Sequence, residues 1–281
     1  MAKTAVNVRV EGRPHDDHTT GRAGPRGGTA RRFRRGHPRP GFLGAVTGAG
    51  QRDQLPRRGR YTTTDGHTVR SGVVFRSNKL SNLTAAEWQV VTAHGINRDV
   101  DLRNIQERSD EPDHAPAGVA YQVADVASFS HGIRFHDSAG VTLLAALAAG
   151  LLSGSSDLGQ SIGYPFMVNF VGADYAFRDT LRAIATNTSG GVVYHCSAGK
   201  DRTGWATAVL LTLLGVPMAT VEQDFLLSNT YLARSDAVQV AWLHAAFAEL
   251  NHIYGTFSAY LHTGLMLTDT EIAAIKSRLL V

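Results

Sequence analysis

The apolar, β-branched run Gly191-Val-Val-Tyr-His195 stops at a polar loop, Cys196-Ser-Ala-Gly-Lys-Asp-Arg202, and a helical apolar pattern then runs from Thr203 to Leu214. Strand, short loop and helix in that order leave the chain few options. The helix starts with unpaired backbone N–H groups, and the amides of Ser197, Ala198, Gly199 and Lys200 can turn inward beside them to cradle an anion. Arg202, six residues after Cys196, closes the ring with a guanidinium fork matched to two phosphate oxygens. The sulfur lies in the same field. Helix N-termini and adjacent cations lower a thiol pKa from about 8.5 to roughly 3.5–7.5, so Cys196 is expected to be largely thiolate near neutral pH.

A thiolate beneath a bound phosphate monoester is placed for in-line attack on phosphorus, which points to phosphoryl transfer to sulfur followed by hydrolysis. Asp201 is a candidate to protonate the departing oxygen and then activate water. The Thr203 hydroxyl is a candidate to hydrogen-bond the sulfur as it leaves phosphorus. Each has a plainer alternative: Asp201 as a first-turn residue favoured by the helix dipole, with Asp125 as the runner-up acid, and Cys196 as a buried structural thiol. His195 reads as an ordering hydrogen-bond partner beneath the loop rather than a proton shuttle.

Other motifs fail on residue identity. A Walker A loop needs Gly at 194 and Ser or Thr at 201, where the chain has Tyr194 and Asp201. A nucleophile elbow centred on Ser197 needs Gly where His195 stands. Cys196 is the single cysteine, which excludes a disulfide scaffold and leaves a zinc site without a second thiolate. No metal and no cofactor are expected.

Charge divides the chain. Residues 1–60 carry 14 Lys and Arg against 4 Asp and Glu, with 11 Gly and 5 Pro, whereas residues 61–281 carry 14 against 20. The net of +10 and the net of −6 give the overall +4, so the basic character belongs to the first 60 residues alone. Their composition is disorder-like. A nucleic-acid role is not expected, since few aromatics are interleaved with the arginines. The longest uncharged apolar stretch, Val141 to Leu152, is too short to cross a bilayer, which takes about 20 residues. With no recognisable signal peptide, the chain is expected to be cytoplasmic or exported by another route, without stable membrane insertion, and a monomer.

From Tyr61 onward strands and helices alternate, the mark of an α/β layer architecture. Strands are predicted at 73–76, 96–102, 118–124 and 191–195. Thr84-Ala-Ala-Glu87 reads as a capping box opening a helix through Trp88 and Val91. Further helices are predicted at 166–186, 203–214, 217–228, 233–250 and 268–280.

The string His195-Cys-Ser-Ala-Gly-Lys-Asp-Arg-Thr-Gly204 resembles the signature of the bacterial tyrosine-protein phosphatases of the secreted mycobacterial type. Family-like pieces flank it in order: Gly66 to Ser77, Leu80-Ser81, Asp101-Leu-Arg103 with Glu107, Pro112-Asp113, Asp224 to Asn229, Tyr254-Gly255 and Tyr260-Leu261. The resemblance implies a phosphatase domain over 61–281, with a mainly parallel central sheet flanked by helices and a helical lid at about 137–165. It further implies a cysteine-dependent phosphatase acting on phosphotyrosine proteins, with phosphoserine, phosphothreonine or phosphoinositide monoesters as the wider range that several members share; a catalytically silent phosphate-binding module is the alternative. Carried over, Cys196 is the nucleophile, Arg202 the clamp and Asp201 the acid, with Asp101 and Arg103 as supporting groups. Lys200 resembles the lysine that favours highly phosphorylated or acidic substrates. On the residues alone, Asp101 with Arg103 is equally a salt-bridged strand end, and Lys200 a solvated loop cation.

The family's usual Asn-Phe-Arg-Asp-Val-Gly-Gly before Tyr61 is replaced here by Gln54-Leu-Pro-Arg-Arg-Gly-Arg60. A permitted codon set for residues 54–60, read one base later, encodes the family string. The expectation is that the first 60 residues are translated out of frame; the gene's nucleotide sequence checks it, and no restoring single-base shift would end it.

Overall fold

The computed structural model describes residues 43–46, 61–153 and 156–281. Its strands are β1 (Leu43–Val46), β2 (Val74–Ser77), β3 (Ile96–Asp101), β4 (Ala120–Val123) and β5 (Gly191–His195). Helices α1 (Ala85–Ala93) and α2 (Ile105–Asp110) flank β3. A helical block follows: α3 (Ala139–Ser153), α4 (Ser156–Asn169) and α5 (Val171–Thr186). After β5 come α6 (Arg202–Leu213), α7 (Met218–Tyr231), α8 (Val240–Tyr254), the short α9 (Phe257–Ala259), a π-helical turn at Tyr260–Gly264, and α10 (Asp269–Leu279).

The sheet order is β1-β2-β5-β3-β4, every pair parallel. This is the α/β architecture with a parallel sheet between helices that the alternating pattern implies. In open sheets of this kind ligands bind beyond the carboxyl ends of the strands. Register decides what gathers there: Ser77 pairs with His195, and His195 with Asp101, so three strands end level around the start of the loop.

β5 holds the centre because nothing in it is polar until His195. Val192, Val193 and Tyr194 are all fully buried. Side chains alternate across the sheet, so Val192 and Tyr194 enter the larger core with Trp205, Phe177 and Leu210, while Val193 joins Phe75, Trp88, Val91 and Ile96 on the other face. Each buried valine contributes about 1.5–3 kcal/mol.

Some sequence expectations shift. The single helix predicted over 166–186 is two: Phe170 is extended (φ −83°, ψ 115°) between α4 and α5. The cause is tertiary, because Phe170 is fully buried, stacks on Phe166 and bridges Phe135 in a one-residue antiparallel pairing. The predicted helix start at 233 is late, at Val240. Strand 118–124 is present but shorter. The capping box at Thr84 and Glu87 forms as predicted, and two more form at Asn104 with Glu107 and Thr268 with Glu271. The lid stretch at 137–165 falls on α3 and α4, and Leu143 and Leu144 pack partly buried against the larger core. The disorder-like reading of 1–60 lies outside the described residues, apart from Leu43–Val46, which forms the edge strand beside β2.

Candidate active site

Cys196 is the first residue beyond β5, and Arg202 is the first of α6. The intervening loop can turn that sharply because Gly199 has φ +70°; a Cβ there would lie 2.7 Å from the Ser77 carbonyl oxygen. The loop therefore sits directly on the end of β2.

The Cys196 thiol is buried, which by itself pushes its pKa up; Arg202 and the hydroxyl and amide of Thr203 outweigh that and hold it below the ordinary thiol value. Thr203 is fully buried. Arg202 does not reach over the loop unaided. Glu107 on α2 accepts from both guanidinium ends, at 2.6 Å to Nη1 and 2.7 Å to Nη2. This two-pronged geometry fixes the guanidinium plane. The same carboxylate accepts from the Ser197 hydroxyl, and its other oxygen takes the Asn104 amide at 2.9 Å as part of the helix cap. Burial pushes Glu107 up, but Arg202 and Ser197 pull it down to about 2, so it is ionised throughout the neutral range.

Asp201 occupies the cap position of α6, yet its side chain makes no capping bond. Its carboxylate instead accepts from the Tyr164 hydroxyl of α4 and from Lys200 Nζ, each at 2.9 Å. Lys200 also lies 5.8 Å from the centre of the Trp242 ring on α8. Far from being a solvated loop cation, Lys200 is 8% exposed. The runner-up acid, Asp125, is engaged elsewhere: Arg108 Nη1 donates to it at 2.9 Å and the Ala127 amide at 2.8 Å.

Beneath the loop lies a buried charge cluster. Arg103 donates to Asp101 through Nε at 2.9 Å and Nη2 at 2.7 Å, and to Asp113 at 2.7 Å, with all three side chains fully buried. His195 Nε2 lies 3.0 Å from Asp113 and 3.2 Å from Asp99. Burial pulls this imidazole down, and the two carboxylates overcome that and push it up to about 10. His195 is therefore a buried cation closing the end of β5. Asp99, Asp113 and His195 place ligand-type atoms within 4.8 Å of one another, but Arg103 donates to the same Asp113 oxygen that faces His195.

The structure brings together every residue singled out in the loop, with Asp101 and Arg103 in the layer below. Sequence reading missed Glu107 as a site residue, although the box Asn104-Ile-Gln-Glu107 marks a helix start pointing at the loop. It also missed Tyr164, whose position inside an apolar helix carried no signal.

A thiol just past the end of a central parallel strand, with an arginine one loop away at the head of the following helix, defines an α/β protein of the strand–loop–helix class. The family model for the tyrosine phosphatase family matches residues 57–281, and the chain belongs to that family. A tyrosine-protein phosphatase of Nostoc commune is 29% identical over 157 residues, 56% of this chain and 48% of its own length. A Cupriavidus necator protein provisionally named a tyrosine-protein phosphatase is 26% identical over 221 residues, covering 76% of this chain and 75% of that one. The triple specificity protein phosphatase PtpB of Mycobacterium tuberculosis is 28% identical over 176 residues, 57% of this chain and 62% of its own. The chain thus spans about half the length of the Nostoc relative. Among the described residues no helix is long and apolar enough to cross a membrane.

Proposed function

We propose that this chain hydrolyses phosphomonoesters, phosphotyrosine foremost, through a phosphocysteine intermediate. The observation that carries the reading is the buried Cys196 thiol, held below its usual pKa beside an Arg202 whose plane Glu107 fixes. In the first step the Cys196 thiolate donates an electron pair to phosphorus, the P–O bond to the leaving group breaks, and Asp201 delivers a proton to the departing oxygen. In the second, Asp201 takes a proton from water, the water oxygen bonds to phosphorus, and the P–S bond breaks to return the thiolate. Thr203 hydrogen-bonds the sulfur at that moment. Arg202 and the amides of Ser197, Ala198, Gly199 and Lys200 carry the charge on the equatorial oxygens, the term expected to be largest.

Phosphoserine, phosphothreonine and phosphoinositide monoesters belong to the proposed range; the mycobacterial relative is named a triple specificity protein phosphatase, which supports breadth toward phosphoproteins. Steady-state rates on a phosphotyrosine peptide, a phosphoserine peptide and a phosphoinositide test the reading. Turnover of the phosphotyrosine peptide is expected to be fastest. No turnover of any of them, with inorganic phosphate still bound, would make the protein a silent phosphate-binding module.

Glu107→Gln keeps the side chain's shape and removes the charge that grips Arg202. It is expected to lower kcat/KM on p-nitrophenyl phosphate by about 10- to 100-fold, the cost of misplacing a catalytic group by a fraction of an ångström to an ångström. An unchanged kcat/KM would show that Arg202 is oriented without it.

A further inference from the structure

An anion cradle works only if its amide N–H groups face the anion, and a loop of seven residues has no ladder of its own to turn them. Three carbonyls are held from outside, the last of β5 and two of the loop. The His195 carbonyl accepts from the Leu102 amide at 2.9 Å and the Ser197 carbonyl from the Lys79 amide at 3.3 Å. The Gly199 carbonyl accepts from Arg76 Nη2 at 3.1 Å. The C=O and N–H of one trans peptide unit point in opposite directions, and no cis peptide occurs among the described residues. Drawing the Ser197 and Gly199 carbonyls toward β2 and the segment after it therefore turns the amides of Ala198 and Lys200 the other way.

Two of these anchors are backbone groups. The third is a side chain, and its setting is costly: Arg76 is 4% exposed on β2. Its Nη1 donates to Asp224 at 2.8 Å, and its Nη2 donates to the Ser228 hydroxyl at 2.9 Å as well as to Gly199. Asp224 is in turn held by the Tyr61 hydroxyl at 2.5 Å. Asp224 and Ser228 lie one turn apart on α7 and aim the planar fork, so the third bond falls on Gly199. The Gly199 peptide needs such a hold because its residue is in the left-handed region, where glycine is conformationally loose.

We propose that Arg76 is a positioning residue for the phosphate cradle: by gripping the Gly199 carbonyl it keeps the Lys200 amide facing the bound anion. The inference rests on the phosphatase reading for what the cradle binds. Arg76 does not itself meet the anion; it acts through one peptide plane. Lysine keeps the charge opposite Asp224 but cannot make three differently directed bonds from one plane.

Orthovanadate affinity and the ultraviolet titration of the Cys196 thiolate, measured on the full chain, separate this role from a general loss of structure. For Arg76→Lys, vanadate is expected to bind tenfold or more weakly, while the thiolate midpoint stays where it is, because Arg202 and Thr203 hold the sulfur. Undiminished vanadate affinity in that variant overturns the inference and leaves the phosphatase reading standing. A parallel fall in affinity and upward move of the thiolate midpoint also overturns it, as a general loosening of the loop. Should Arg76→Lys fail to fold, Ser228→Ala decides: a several-fold weaker vanadate complex supports the role, and an unchanged one ends it. A wild-type protein that ignores vanadate overturns both readings together.

Discussion

Cys196→Ser is expected to abolish hydrolysis of p-nitrophenyl phosphate, with kcat falling by at least about 10⁴-fold, as when a covalent nucleophile is removed elsewhere. The size follows from the site. The surroundings hold the thiol below its ordinary pKa and so favour the thiolate, whereas a serine hydroxyl starts far too high for the same field to ionise it. Arg202, Glu107 and the loop amides are untouched by the exchange, so the variant is expected to bind a phosphotyrosine peptide about as tightly as the wild type. Isothermal titration beside the rate assay reads both. Residual turnover within tenfold of wild type would remove sulfur from the mechanism.

The second large effect is on stability. Arg103→Ala is expected to cost about 3–5 kcal/mol, because it takes from the buried Asp101 and Asp113 the guanidinium they share. Both carboxylates are fully buried against Arg103, and Asp101 accepts further bonds from the Arg103 amide and the Tyr121 hydroxyl, each at 2.9 Å. In a domain of this size that loss lowers the thermal midpoint by roughly 10 °C. Calorimetry checks it, and a midpoint within 2 °C of wild type, about half a kcal/mol, would mean that the cluster relaxes around the gap. A fall in activity below the melting range is also expected, because His195 ends β5 within this same cluster.

What could be read from the sequence followed distance along the chain. β5, its loop and α6 are contiguous, so apolar run, glycine and helix start specify one another locally, and Cys196, Asp201 and Arg202 were legible with their spacing. The groups that hold them are remote: Glu107 lies 95 residues from Arg202, and Asp224 lies 148 from Arg76. No periodicity reports such pairings. Asp99 did leave a trace, a carboxylate inside a buried parallel strand, where an unpaired charge is expensive. The division of α4 from α5 left none, because Phe170 has a helix-compatible side chain and is pulled out of the helix by Phe135 and Phe166. For Lys200, sequence alone left open whether the cation is solvated; it is buried beside Asp201 and Trp242.

The phenol of Tyr164 ties the group proposed to protonate the leaving oxygen to a helix that covers the core rather than to the catalytic loop. A shift of α4 would therefore strip Asp201 of one of its two side-chain donors and leave it with Lys200 alone, so the seating of one core helix sets the company that the proposed acid keeps.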